Sequence, residues 1–290
     1  AAGVIDVQAL HIISSLTSDL DVPAVIVAEN DIKAREIFED MYFFDKNTVL
    51  FPSRDIIFYS ADVHSRDTDI RRVNVLKRLL SRERVNVVVS AEALFDRLVP
   101  PKVFKASVIN IKEGDELDLE ALGMRLVFLG YERTDETQSK GQFSIRGGII
   151  DIFSPAEENA VRIELWDNEV DTIRVMDVST QRSSDRLEKT EIYPFNEFFY
   201  SEKNLENAVS GIEKAYKKTM ALFNKKNLDD EALMLEHHVG EALEKLKSGE
   251  HDSSAAGFIN YFYEETVNIF GYTKENAVIY FDELSHIKQK

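Results

Sequence analysis

The chain has 290 residues, with 44% hydrophobic and 30% charged residues, a net charge of −17 and no cysteine. That length predicts two or more domains around separate cores, and the lack of cysteine excludes disulfides and thiolate metal sites and fits a cytoplasmic origin. The charge opposes non-specific nucleic-acid binding, which needs clustered Lys and Arg facing phosphate. No run approaches the roughly 18 apolar residues of a membrane span.

Ala1-Ala2-Gly3 opens without Met and without a cationic signal-peptide start, so the chain reads as an excised, leaderless segment. Up to Pro100-Pro101 the pattern is α/β. Val25–Ala28 and Val85–Ser90 are β-branched runs of the kind found in buried parallel strands. Between them, Ala34, Ile37, Phe38 and Met41, then Ile70, Val73, Leu76 and Leu80, recur at helical spacing. Strand and helix alternating predict a parallel sheet with crossover helices.

Residues 102–196 are rich in strands and turns. Val161, Ile163 and Leu165 alternate with Arg162, Glu164 and Trp166, which predicts a half-buried strand. Asp167-Asn168 supplies a turn, and Val170 to Asp177 returns as the second strand of a hairpin. Residues 197–290 contain no proline; Leu205, Val209, Ile212, Tyr216 and Met220 mark one helix, and Val239, Leu243 and Leu246 another. Ala277 to Phe281 is strand-like again, and a strand there can join the first sheet. The expected fold class is therefore α/β, a parallel-sheet domain that is discontinuous, formed by 1–101 and 197–290 around an inserted β-rich α+β domain at 102–196.

A nucleotide site would need a glycine-rich loop whose amides wrap phosphate, followed by a lysine. None of the 12 glycines is followed by Lys. Asp282-Glu283-Leu284-Ser285-His286 reads as a polar loop after a strand rather than a metal site. Arg71, Arg72, Lys77 and Arg78 read as a solvated helix face beside Asp67 and Asp69. His237 and His238 are adjacent, about 100° apart on a helix, and make a poor metal pair. No catalytic residue, metal ligand or cofactor is assigned.

Three blocks carry a resemblance: Gly130-Tyr131-Glu132-Arg133, then Gly141 to Phe153 (GQFSIRGGIIDIF), then Arg162 to Arg174 (RIELWDNEVDTIR), with Gln181-Arg182-Ser183 and Pro194 to Phe198 beyond. Together with Phe51-Pro52-Ser53-Arg54-Asp55 and Ser90-Ala91-Glu92-Ala93-Leu94, they resemble the UvrB-like module of bacterial transcription-repair coupling factors (Mfd) over nearly the whole chain. The resemblance implies a degenerate RecA/helicase-like first domain. Gly3 opens the matching stretch, and Gln8, Ala9 and Leu10 stand where UvrB carries Gly-Lys-Thr. Too few residues separate Tyr59 from the helix at Asp69 for UvrB's DNA-clamping hairpin. It further implies a non-catalytic adaptor that recruits UvrA to stalled RNA polymerase in nucleotide excision repair; in the longer parent, RNA polymerase and double-stranded DNA are bound by other regions, and an ATP-dependent DNA translocase acts. A UvrB-like DNA-dependent ATPase and a non-catalytic DNA-binding module are the alternatives.

Strand geometry puts Arg162, Glu164 and Trp166 on one face, a Trp beside an Arg as in interface hot spots. The alternative is that a covering segment makes Trp166 ordinary core. The resemblance implies UvrA contact at Arg146, Arg162 and Trp166, and the family more often has Phe where Trp166 stands. Arg133 is a further candidate. Arg146, before Gly147-Gly148, is expected to aim outward at a partner carboxylate, and Arg162 is expected to be removable without unfolding.

Overall fold

A computed structural model describes residues 6–54, 66–81, 83–248 and 253–287. The elements begin with α1 (Asp6–Asp19), β1 (Ala24–Ala28), α2 (Asp31–Phe44), β2 (Thr48–Phe51), α3 (Arg66–Leu79), β3 (Asn86–Ser90), α4 (Ala91–Leu94) and α5 (Pro101–Ser107). The middle runs β4 (Ile109–Lys112), α6 (Leu119–Phe128), β5 (Glu132–Arg133), β6 (Gln142–Arg146), β7 (Ile149–Ile152), β8 (Ala160–Trp166), β9 (Glu169–Asp177), β10 (Arg182–Leu187) and β11 (Lys189–Ile192). Then come α7 (Glu202–Lys225), α8 (Asp229–Leu235), α9 (Glu241–Ser248), α10 (Ile259–Phe262), β12 (Val278–Phe281) and α11 (Leu284–Ile287). The fold is mixed α/β, with a parallel sheet and a β-rich antiparallel one.

The chain forms two compact units, Ala1–Pro101 with Val267–Lys290, and Lys102–Thr266. In the first unit four parallel strands lie in the order β12-β1-β3-β2. Every residue of β1 and β3 is buried, as continuous apolar runs in a sheet covered on both faces must be. Leu10 and Ile13 of α1 and Ala34, Ile37 and Met41 of α2 pack on Ile26, Ala28 and Val88. Asn30 caps α2, its side chain accepting from the Lys33 amide at 2.9 Å.

On α3 the basic cluster divides. Arg71 lies on the surface, pairing with Asp67 one turn back. Arg72 does not belong to a solvated face: its side chain is 0% exposed, pairs with Asp96 at 2.8 Å, donates to the Pro52 carbonyl and lies 4.1 Å over the Phe51 ring. Its guanidinium reaches a carboxylate and an aromatic face that helical periodicity cannot reveal.

In the second unit six strands run β10-β9-β8-β7-β6-β5, antiparallel except for β5 beside β6. Phe143, Ile150, Ile152, Val161, Ile163 and Ile173 form its apolar face. A separate two-stranded ladder pairs β4 with β11. The helices from Glu202 to Phe262 fall in this unit, not with the first sheet. A capping box between Ser201 and Asn204 starts α7, and the Asn204 amide donates to the Phe262 carbonyl at 2.9 Å. The Phe262 ring also meets Phe198 and Tyr200. One turn at Glu236–Gly240 is π-helical, and there the His237 and His238 rings stack at 5.1 Å instead of diverging.

Candidate docking face

The site is built on the polar face of the six-stranded sheet. Directly opposed residues in an antiparallel ladder share a face, so the register places Ser144, Asp151 and Arg162 in one row across β6, β7 and β8. Arg146 is two residues along from Ser144 on the same face. Asp151 is 1% exposed, yet it sits at the centre of an ion-pair cluster. Arg162 grips it bidentately, Nε to Oδ1 at 2.7 Å and Nη2 to Oδ2 at 2.9 Å, and Arg146 Nη2 reaches Oδ2 at 2.7 Å.

The turn before β10 folds over this cluster. Gln181 takes a left-handed φ of 57°, its carbonyl accepts from Arg162 Nη1 at 3.2 Å, and its side-chain amide donates to the carbonyls of Thr137 and Val178. The Thr137 hydroxyl in turn donates to the Asp151 carbonyl at 3.1 Å. The Arg162 side chain is left 14% exposed, and its hydrogen bond with Asp151 holds its pKa above the ordinary guanidinium value. The geometry corrects two expectations. Arg146 and Arg162 are both committed to a carboxylate of their own chain, because the register puts Asp151 in reach of both. Arg146 still shows 44% of its side chain to solvent. Arg162 supports a buried charge and is not a free surface cation.

Trp166 ends β8 and is 82% exposed, so no helix or loop among the described residues covers it. It lies about 13 Å along the strand from Arg162, at 3.2–3.4 Å per residue. The hairpin carrying it is braced. Asp167 turns it at φ 58°, and the loop before α6 hydrogen-bonds to it through Gly114 N to Val170 O, Val170 N to Asp115 O and Leu117 N to Asn168 O, all within 2.9 Å. Arg133 is exposed on β5 and sits in register with Phe143, in the alternate set from Ser144 and Arg146. The structure therefore joins Arg146 and Arg162 through Asp151, sets Trp166 further along β8 from Arg162, and leaves Arg133 apart. Asp151 and Gln181 were missed from sequence. The signal for Asp151 was present, since an Asp inside the apolar run Ile149 to Ile152 needs a buried partner.

At the other candidate, Gln8 is exposed on α1, Ala9 half-buried and Leu10 in the core; Gly3 and the segment 55–65 after Arg54 lie outside the described residues. Asp282 is buried, its amide donating to the Val27 carbonyl. Among the described residues no group of three or more His, Asp or Glu is arranged to hold a metal, and no helix is long and apolar enough to cross a membrane.

Residues 109–198, from β4 to just before α7, match the UvrB interaction domain family. The chain is 32% identical over 278 residues to the transcription-repair-coupling factor of Bacillus subtilis, covering 95% of this chain and 23% of that protein. It is 30% identical to the same factor of Staphylococcus epidermidis, over 91% of this chain and 22% of the relative. The UvrABC system protein B of Thermosipho africanus is 27% identical, over 91% of this chain and 43% of that protein. The chain is a UvrB-like module of the transcription-repair-coupling factor type. It spans under a quarter of the length of those two factors. In this UvrB-like module the matched segment contains the whole six-stranded sheet, with Asp151, Gln181 and all four candidate residues on it.

Proposed function

We propose that this UvrB-like module is a non-catalytic adaptor that docks UvrA through the Arg146, Arg162 and Trp166 face, recruiting it to stalled RNA polymerase in excision repair. The observation that carries this reading is a solvent-exposed tryptophan on a braced hairpin, on the same sheet face as a fixed guanidinium cluster, within the segment that matches the UvrB interaction domain. Rigid presentation keeps the ordering cost of binding low, and Trp and Arg are the side chains that most often dominate interface energies. Of the two arginines on Asp151, Arg146, with 44% of its side chain exposed, is the one that can also meet a UvrA carboxylate. Arg162 acts by holding Asp151, and Arg133 is a peripheral contact.

The first unit we read as a degenerate RecA-like domain, in which Gln8, Ala9 and Leu10 stand in α1 in place of a phosphate loop's Gly-Lys-Thr; the translocase activity, and the contacts to RNA polymerase and double-stranded DNA, belong to the longer parent. Titration calorimetry with Mg-ATP is expected to give no heat of binding, and micromolar affinity would overturn that reading. For docking, UvrA is titrated into the chain and into Trp166→Ala. The wild type is expected to bind and the variant to bind at least about tenfold more weakly, or roughly 1.4 kcal/mol. Absence of wild-type binding, or equal binding of the two, would overturn the proposal.

A further inference from the structure

The polar face continues past the Asp151 cluster. Arg162 on β8 stands directly opposite Arg174 on β9, and Arg174 directly opposite Arg186 on β10. Three guanidinium side chains thus occupy one cross-strand row, with Cβ neighbours about 4.5–5.5 Å apart, an arrangement in which like charges repel. The outer two are compensated by their own chain, Arg162 by Asp151 and Arg186 by Glu113 at 2.6 Å. The side chain of Arg174, half-buried between them, makes no hydrogen bond or ion pair among the described residues.

The row is produced by an irregularity. Ser183 pairs with Met176, so a regular ladder would bring Asp185 opposite Arg174, an ordinary cross-strand ion pair. An extra residue in β10 between Ser183 and Arg186 shifts the register, so that Arg186 faces Arg174 and Asp185 does not. The bulge exchanges an attractive partner for a repulsive one. Along β8, the carboxylate of Glu164 accepts from the Thr172 hydroxyl at 3.4 Å. In a chain of net charge −17 this local surplus of cations is not a reflection of composition.

From this geometry we propose that Arg174 is a further docking residue, whose guanidinium receives a carboxylate from an acidic segment of UvrA. The inference rests on the UvrA reading above. Arg162 has already committed Nε, Nη1 and Nη2 within its own chain, whereas all five N–H donors of Arg174 are available for a bidentate pair. A carboxylate there also relieves the repulsion within the row. The same acidic segment reaches Arg146 by spanning the three strand spacings from β9 to β6 and two residues along the strand, about 16 Å in all.

The test uses UvrA titrated into the wild-type chain, Arg174→Ala, Arg174→Glu, Arg174→Gln and Trp166→Ala at two salt concentrations, with a thermal melt of each. Arg174→Ala is expected to weaken binding about fivefold and Arg174→Glu more than about twentyfold, with a shallower salt dependence for Arg174→Ala. The melting temperature of Arg174→Ala is expected to hold or rise, since a repelling cation is removed; a structural role would lower it. If Trp166→Ala loses affinity while Arg174→Ala and Arg174→Glu stay within twofold of wild type, the assignment of Arg174 is wrong and the docking reading stands. Should Arg174→Glu fail to fold, Arg174→Gln decides, and unchanged affinity there overturns the assignment. A melting temperature lowered by several degrees in Arg174→Ala overturns it as well. No binding of UvrA by the wild type overturns both.

Discussion

The two sheets of this chain use similar β-branched residues to opposite ends. In the four-stranded parallel sheet β1 and β3 are buried throughout, so those strands present no side chain to a partner. In the six-stranded sheet β8 buries Val161 and Ile163, leaves Arg162 and Glu164 half-buried and ends on an exposed Trp166. A sheet covered on both faces is scaffold; an antiparallel sheet with one apolar face keeps the other for polar chemistry. The polar face is itself uneven. Its Asp151 end is a closed ion cluster under the Gln181 turn, and its Trp166 end is open.

The largest expected effect would erase that division. Ile163→Asp puts a charge into the apolar face of the second sheet, and Val88→Asp does the same in the first, where both residues are 0% exposed. Each is expected to cost on the order of 4 kcal/mol or more, read as a fall in urea midpoint. A midpoint unchanged in Ile163→Asp would show that this face is not core.

Next is the closed end of the polar face. Arg162→Ala leaves the buried Asp151 carboxylate with Arg146 alone and is expected to cost about 2 kcal/mol. Adding Asp151→Asn removes the stranded charge, so the double variant is expected to be less destabilised than the two single changes summed. Strict additivity in that cycle would mean that the pair is not coupled.

Gly147, in the turn between β6 and β7, has φ 60° and open space around a would-be Cβ. Gly147→Ala is therefore expected to cost only backbone strain, about 1–2 kcal/mol. Gly141→Ala should cost more, because its Cβ would come within 2.3 Å of the Phe195 ring as well as adopting φ 82°. Equal midpoints for the two variants would contradict this ranking. Smallest is the stability change in Trp166→Ala, expected within about 0.5 kcal/mol because the ring is solvated. A sharp loss of stability would instead make Trp166 a packing residue and sharpen the contrast between the two ends of β8 out of existence.

What the sequence determined by itself is what local backbone geometry dictates. A two-residue period set Arg162, Glu164 and Trp166 against Val161 and Ile163, and apolar runs marked the buried strands β1 and β3. The terminal strand β12 was legible as well, because four consecutive strand-forming residues need a sheet to join. What only the tertiary structure decided is who pairs with whom. Arg162 finds Asp151 eleven residues back and Gln181 nineteen ahead, and Arg72 finds Asp96 twenty-four ahead. The π-helical turn that stacks His237 on His238 and the bulge that sets Arg186 against Arg174 shift a local register that a uniform period assumes constant. Periodicity fixes which way a side chain points, since that depends on its own backbone dihedrals. The charge it meets there depends on strand register and chain reversal, which are set by the packing of the whole unit.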